Sequence, residues 1–470
     1  MNVLSLKSRI IRFLKQKNVS DTILSFWLSI GLLFLSPLVL SADDTILLKN
    51  ARIYTMGKNG DLEKGMILIN GLKIEKVGVT IQVPSGTKIF DLTGKTIIPG
   101  LVCASSSLFL SETERTFQGD EKPDTNILDG INLYDEKVPV VLRNGVTAAF
   151  ISPVSFKTVG GLGAVVKLTA EPGQTPEILK QKAALRLRME SLSQEKTSNL
   201  LRLTQYHAVR DKFVAASHYR EEWEKYEKKL NEYKEAQKDK TKTKKVKKPK
   251  EPRKDPGNDI LIEVMDQKIP LWIEVHSPDA ILNALRIAEE FSCRLILESI
   301  EGWPTVISQI QQSKASFLIS PLSDWPKFTL PGGPQGYIAR MLNINPGSFL
   351  YSDQESTIKT SAKATPQNWQ TLIAGDSRVA CIPPDIFPLS ARNLREYAAL
   401  LIAEGINRSD ALKSITIAPA KILGVANRVG SIEEGKDADL VILNGAPLNT
   451  LSRIEKVLVN GAIVWEGNNE

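Results

Sequence analysis

The chain has 470 residues, of which 42% are hydrophobic and 24% charged, with a formal net charge of +7 at pH 7. That length can bury one barrel-sized core with a satellite domain, or two to three smaller domains, and the composition excludes a fibrous or wholly disordered chain. The positive balance is local: between Lys238 and Lys254 ten Lys or Arg face only Asp239 and Glu251, and the remainder sums to about −1. A nucleic-acid-binding face is therefore not the source of the charge.

The first 42 residues have the form of an export element. Lys7, Arg9, Arg12, Lys15 and Lys17 precede an apolar run from Ile23 that ends in small residues at Ser41 and Ala42. A basic head, an apolar middle and a small-residue end predict a signal peptide, with Val39 and Ser41 at the −3 and −1 positions. The run is also long enough to span a bilayer if uncut, which leaves a retained N-terminal anchor open. Both alternatives place the body outside the cytoplasm, in a periplasmic or cell-envelope setting. Cys103, Cys293 and Cys381 are widely spaced and odd in number, which suits small buried side chains better than a disulfide framework.

From residue 43 to 98 short alternating strands with turns are expected, and Asn70-Gly71 between two such runs predicts a hairpin. Residues 426–470 repeat the style, with a second hairpin at Asn460-Gly461. The two ends are expected to form one small β-sandwich. Between them, residues 99–425 alternate strands and helices. "GVTAAFIS", "KIPLWIEVHS", "CRLILES", "ASFLISP" and "SRVACI" are compact apolar runs, as parallel strands buried on both faces should be. That spacing predicts an α/β fold with a TIM-type (β/α)8 barrel, whose functional groups gather at the C-terminal strand ends. Residues 177–257 are expected to form an insertion. It is read as helical from 177 to about 235, with a packing stripe of Tyr206, Val209, Phe213, Ala216, Arg220 and Trp223. It ends in a lysine-rich, solvated, disordered loop.

The segment from Leu389 to Gly467 resembles the C-terminal part of amidohydrolases in the imidazolonepropionase-like branch. The elements that carry the resemblance are Thr416, Pro419-Ala420, Gly424, Gly430-Ser431, Gly435-Lys436, Ala438-Asp439-Leu440 and Val459-Asn460-Gly461. "GKTIIPGLV", "GVTAAFISPVSFKTVGGLGAVVKL" and "IPLWIEVHSPDAILNALRIAEEF" are similar to further segments of that family. The resemblance implies a metal-dependent hydrolase of non-peptide C–N bonds. Histidines from strands one, five and six and an aspartate from strand eight would hold a divalent metal that acidifies water.

Position by position, the donors implied by the resemblance are missing. The two histidines of the first motif fall on Ser105 and Ser107, and its aspartate on Cys103. The strand-five histidine falls on Glu274, with His276 beside it, and the strand-six histidine on Ser299. Asp385 matches the strand-eight aspartate across a one-residue gap, while Lys167 ends a strand without a clear family counterpart. The two other histidines, His207 and His218, lie eleven residues apart on a helix, about 16 Å, and cannot share an ion. Hydroxyls are weak neutral ligands, so no metal cofactor is expected.

The first expectation is thus a catalytically inactive family member, a pseudoenzyme kept as a binding or partner subunit that forms a homo-oligomer or assembles with an active relative. The alternative is a C–N hydrolase with a rebuilt site at Glu274, His276 and Asp385. Nucleophilic use of Cys103 or Ser105–Ser107 lacks a Gly-x-Ser-x-Gly elbow. A third option gives the lysine-rich loop the function, as a dock for an acidic envelope component. No nucleic-acid partner is expected, and membrane contact only through an uncut N-terminal segment.

Overall fold

The computed structural model describes residues 45–110, 122–153, 159–189, 199–238, 247–300, 302–321, 364–373, 378–383 and 389–467. The expected export element, Asp385 and residues 239–246 of the lysine-rich loop lie outside the described residues. No helix among the described residues is long and apolar enough to cross a membrane.

The first five strands are β1 (Thr45–Ile53), β2 (Leu62–Asn70), β3 (Lys73–Gly78), β4 (Lys88–Asp91) and β5 (Thr96–Pro99). Eight more follow: β6 (Leu101–Ser106), β7 (Val146–Ile151), β8 (Val159–Lys167), β9 (Ile178–Arg188), β10 (Leu271–Glu274), β11 (Leu295–Glu298), β12 (Ser316–Ile319) and β13 (Val379–Cys381). The last three are β14 (Leu440–Leu443), β15 (Ile454–Val459) and β16 (Ala462–Glu466).

Strands from both ends of the chain share one mixed sheet, in the order β16-β15-β14-β5-β1-β2-β3, with β4 also paired to β1. The join is the antiparallel pairing of β5 with β14, Ile98 opposite Val441. Both predicted hairpins form. Asn460 and Gly461 take φ of 51° and 75°, the doubly left-handed pair that a two-residue turn of primed type demands. The sheet curls until its far hairpins meet: a Cβ on Gly461 would lie 2.3 Å from the Gly71 carbonyl oxygen. Inside sits an apolar core that includes Leu48, Ile53, Ile67, Ile97, Leu440 and Leu458.

The second sheet is the barrel wall, β13-β12-β11-β10-β9-β8-β7-β6. The path ends at β13 and β6, and residues Ser414–Ile415 fill the seam. Val102 N–H donates to the Ile415 carbonyl and Cys381 N–H to that of Ser414, both at 2.9 Å. Alternate residues divide the apolar side chains cleanly, as the two-residue strand period requires. Leu101, Cys103, Leu185, Leu187, Leu271, Ile273, Leu297 and Cys381 face the main core outside the wall. Val102, Ala104, Ala148, Phe150, Ala184, Trp272, Ile296 and Ala380 fill the interior. There Phe150 stacks on Trp272 with ring centroids 4.2 Å apart.

Two features depart from the expected architecture. β8 runs antiparallel to both its neighbours, because the links from β7 and to β9 are too short for a parallel crossover, which needs a dozen residues or more. The second departure is β9. The insertion was expected to be helical from residue 177, yet Ile178–Arg188 is an eleven-residue strand, and the helix begins only at Asn199. Leu185 and Leu187 pack outward, and the strand completes the wall between β8 and β10.

The helices include α1 (Lys137–Arg143), α2 (Asn199–Lys238), α3 (Pro256–Met265) and α4 (Pro278–Glu290). α2 docks its predicted stripe on α3 and α4. Val209, Phe213 and Ala216 are buried, Phe213 stacks on Phe291, and Arg210 forms a fork with Glu290. His207 is exposed and pairs with Asp211.

Gly163 lies on β8 where the Phe150 ring crosses it: a Cβ there would sit 2.3 Å from Phe150 Cζ and 2.8 Å from the Ile151 carbonyl oxygen. Replacing Gly163 by Val is expected to destabilise the barrel by about 1–3 kcal/mol or more, through overpacking. Urea unfolding followed by circular dichroism measures it, and an unchanged midpoint would contradict the packing described.

Candidate functional site

The C-terminal ends of the parallel strands deliver Ser105 and Ser106 (β6), Ser152 (after β7), Arg186 and Arg188 (β9), Glu274 (β10) and Glu298 (β11) to one mouth. Their convergence follows from register. Glu274 lies directly opposite both Glu298 and Arg188 in parallel ladders, and Trp272 opposite Arg186. Inward-facing positions therefore place two carboxylates and two guanidiniums side by side.

The groups form one connected network. Arg186 Nη2 donates to Glu274 Oε2 at 2.9 Å and to Glu298 Oε2 at 3.0 Å, while its Nη1 donates to Ser152 Oγ at 2.9 Å. Arg188 grips Glu274 with a two-pronged fork, Nε to Oε2 at 3.1 Å and Nη2 to Oε1 at 2.7 Å. Glu298 also accepts from Trp272 Nε1 at 2.9 Å and from the Ser105 hydroxyl. His276 Nε2 lies 3.2 Å from Glu274 Oε1. Side-chain exposure is 5% for Glu274, 3% for Glu298, 7% for Arg188 and 12% for Arg186. At this burial the pairs are only weakly screened, and charge balance between the two acids and two bases is what makes their desolvation tolerable.

Burial alone would raise the Glu274 carboxyl. The hydrogen bond from His276 and the charges of Arg186 and Arg188 outweigh it and hold the group well below the usual carboxylate range. A carboxylate so stabilised is a poor proton acceptor near neutral pH, because an effective general base titrates near its working pH. Cys103 is fully buried, its thiol donates to the Ser105 carbonyl at 3.0 Å, and burial pushes it up to about 12. It is thus a thiol, not a thiolate, at pH 7.

The sequence-predicted positions fall as follows. Ser105 and Glu274 enter the network, and His276 touches it. Ser107 borders a small cleft at the mouth with Ser105, Ser106, Leu108, Pro383, Ser390 and Ala391. Ser299 follows Glu298 and turns away with φ of 58°. Asp385 lies outside the described residues. Lys167 is at the opposite end of the barrel, since it pairs with Ala148 near the start of β7. There it is buried between Asp437 at 2.7 Å and Asp439 at 3.0 Å, beside Asn460. This ties the barrel to the terminal sheet and accounts for the Ala438-Asp439-Leu440 element. Among the described residues no three His, Cys, Asp or Glu side chains gather so as to hold a metal ion.

Arg186, Arg188 and Glu298 were not singled out from the sequence. Assigning 177–235 to a helix hid the two arginines, although "ALRLR" carries a period-two alternation that marks a strand with both cations on one face.

Glu274→Gln removes the buried carboxylate that Arg186 and Arg188 both grip and is expected to cost about 3–5 kcal/mol at pH 7. Because the folded carboxyl is held well below the ordinary glutamate value of 4.5, its contribution is present above that pH and is lost as pH falls through the folded value. The stability gap between the two proteins should therefore narrow on acidification below about 4.5. Thermal unfolding from pH 7 to 3 tests it, and a gap that widens on acidification would contradict the assignment.

Comparison with known proteins places this geometry. The Amidohydrolase family model matches residues 372–464. Over 89 residues the chain is 33% identical to imidazolonepropionase of Thermoplasma acidophilum, covering 18% of this chain and 22% of that protein. Over 119 residues it is 29% identical to adenine deaminase of Moorella thermoacetica, covering 25% of this chain and 18% of that protein. The matches thus span about a fifth of the length of either relative. The crystal structure of an amidohydrolase from Thermotoga maritima superposes with a TM-score of 0.66 at 27% identity, over 90% of this chain and all of that one. A putative prolidase from Bifidobacterium longum shares the fold at 16% identity and a TM-score of 0.51, over 90% of this chain and 95% of that one. By its C-terminal sequence match and by a structural likeness over 90% of its length, the chain is similar to proteins of the amidohydrolase superfamily.

Proposed function

We propose that this protein is a non-catalytic member of that superfamily, exported to the cell envelope, whose barrel serves as a binding or partner domain. The observation that carries the reading is Arg186 Nη2 lying within 3.0 Å of both Glu274 and Glu298. Resemblance to the family implies a divalent metal at the C-terminal strand ends, and the residues present do not fit one. The available carboxylate oxygens already accept from guanidiniums, an indole and a hydroxyl. Bringing a doubly charged ion to the same oxygens sets it against two buried positive charges. The serines at 105, 107 and 299 supply neutral, weak donors in place of imidazole.

The alternative of a rebuilt hydrolytic site needs Glu274 to exchange a proton near pH 7. Its two arginine partners favour the ionised form too strongly for that. Export rests on the basic and apolar N-terminal segment, and the partner role on retention of the full barrel around a charge-neutral mouth.

Metal analysis of the purified, dialysed full chain, with assays on simple amides and cyclic amides in added zinc or manganese, tests the proposal. Well under one equivalent of metal and no turnover are expected; one retained equivalent with metal-dependent hydrolysis overturns it. Native-mass measurement of protein extracted from the envelope tests the partner role separately. An assembly larger than the monomer is expected, and a monomer alone contradicts that part.

A further inference from the structure

We infer that Arg186 is a tethered internal cation: its guanidinium fills the point on which the barrel-mouth carboxylates converge, and removing it uncovers a site for a small external cation. The inference rests on the proposed absence of a resident metal and goes beyond it by assigning what replaces one. Geometry carries it. Glu274 and Glu298 are register partners on adjacent strands, so their carboxylates reach the same side of the wall. One nitrogen, Arg186 Nη2, stands 2.9 Å from the first and 3.0 Å from the second. Arg188 grips Glu274 from the other side, through Nε and Nη2. Without Arg186, Glu274 keeps the Arg188 guanidinium, while Glu298 keeps, among the described residues, only the Trp272 indole and the Ser105 hydroxyl as side-chain partners. Neutral donors do not cancel a buried charge.

The chemistry defines the ligand class. Two converging carboxylates beside a serine hydroxyl offer oxygen ligands, which suit a hard divalent ion with water completing its shell, or a free guanidinium that mimics the lost side chain. Of the two arginines and two glutamates Arg186 is the most exposed, at 12%, so truncating it opens the position towards the mouth. Ser105 and Ser106 border the small cleft at the mouth, and the buried Ser152 hydroxyl is the one Arg186 Nη1 reaches. On this account the fold replaced an exchangeable cation with one that cannot dissociate, and the mouth keeps its shape whatever the metal supply.

The test uses the full chain with Arg186→Ala, and Arg186→Ala combined with Glu298→Gln as control. Manganese(II) and guanidinium at millimolar concentration are the probes, read by thermal unfolding and, for manganese, by loss of the free-ion electron paramagnetic resonance signal. The expected result is that at least one probe raises the Tm of Arg186→Ala by about 4 °C near a hundredfold excess over its Kd. The same probe leaves wild type and the double variant unmoved. Folded Arg186→Ala that responds to neither cation overturns the inference, while metal-free wild-type protein would leave the proposed function standing. If Arg186→Ala does not fold, the double variant decides. It lacks the orphaned anion, so recovery of folded protein supports the inference and failure to recover overturns it.

Discussion

The contact on which the mouth depends is the bridge from one guanidinium to two buried carboxylates. Glu274 and Glu298 sit opposite each other in a parallel ladder, a placement that would be untenable if both were ionised with nothing between them. Arg186 lies between them, Arg188 closes the set from the next residue on the same face, Trp272 donates to the same Glu298 oxygen as Arg186, and Ser105 donates to the other. Each of the four charged groups is close to fully buried, so removing one weakens the compensation of the others in low dielectric.

The rest of the barrel is arranged around that bridge. Small interior side chains at Ala104, Ala148, Ala184 and Ala380 leave room for the Phe150–Trp272 stack, and the stack supports the indole that reaches Glu298. Absence of a side chain at Gly163 lets Phe150 lie flat against β8. At the other end, Lys167 and the pair Asp437 and Asp439 join barrel to terminal sheet. The two ends of the barrel thus carry two separate buried ion networks, one at the mouth and one at the base.

Much of this was legible in the sequence. Hydrophobic runs gave the parallel strands, Asn460-Gly461 gave a hairpin, and the C-terminal motif pointed to the superfamily. The two-residue period of "WIEVH" separates Trp272, Glu274 and His276 from Ile273 and Val275, and the wall shows that division, with Trp272 in the interior and Ile273 and Val275 outside. What the sequence concealed was β9. "ILKQKAALRLR" is followed by a long stretch of strong helix formers, and local pattern alone let the helix absorb the strand. Only pairing with β8 and β10, a tertiary fact, fixes its identity, and with it went both arginines. The antiparallel course of β8 was hidden for a related reason: strand direction follows from connection length and neighbours, not from side-chain pattern.

Seen from the site, a family scaffold that normally organises a metal instead organises a salt-bridge lattice, on the reading proposed above. The most direct measurement is an experimental electron-density map from crystals grown with zinc, with anomalous data collected at the zinc edge. The account predicts guanidinium density spanning Glu274 and Glu298 and no anomalous peak at the mouth. A strong peak coordinated by Glu274 or Glu298, with Arg186 displaced, would contradict it.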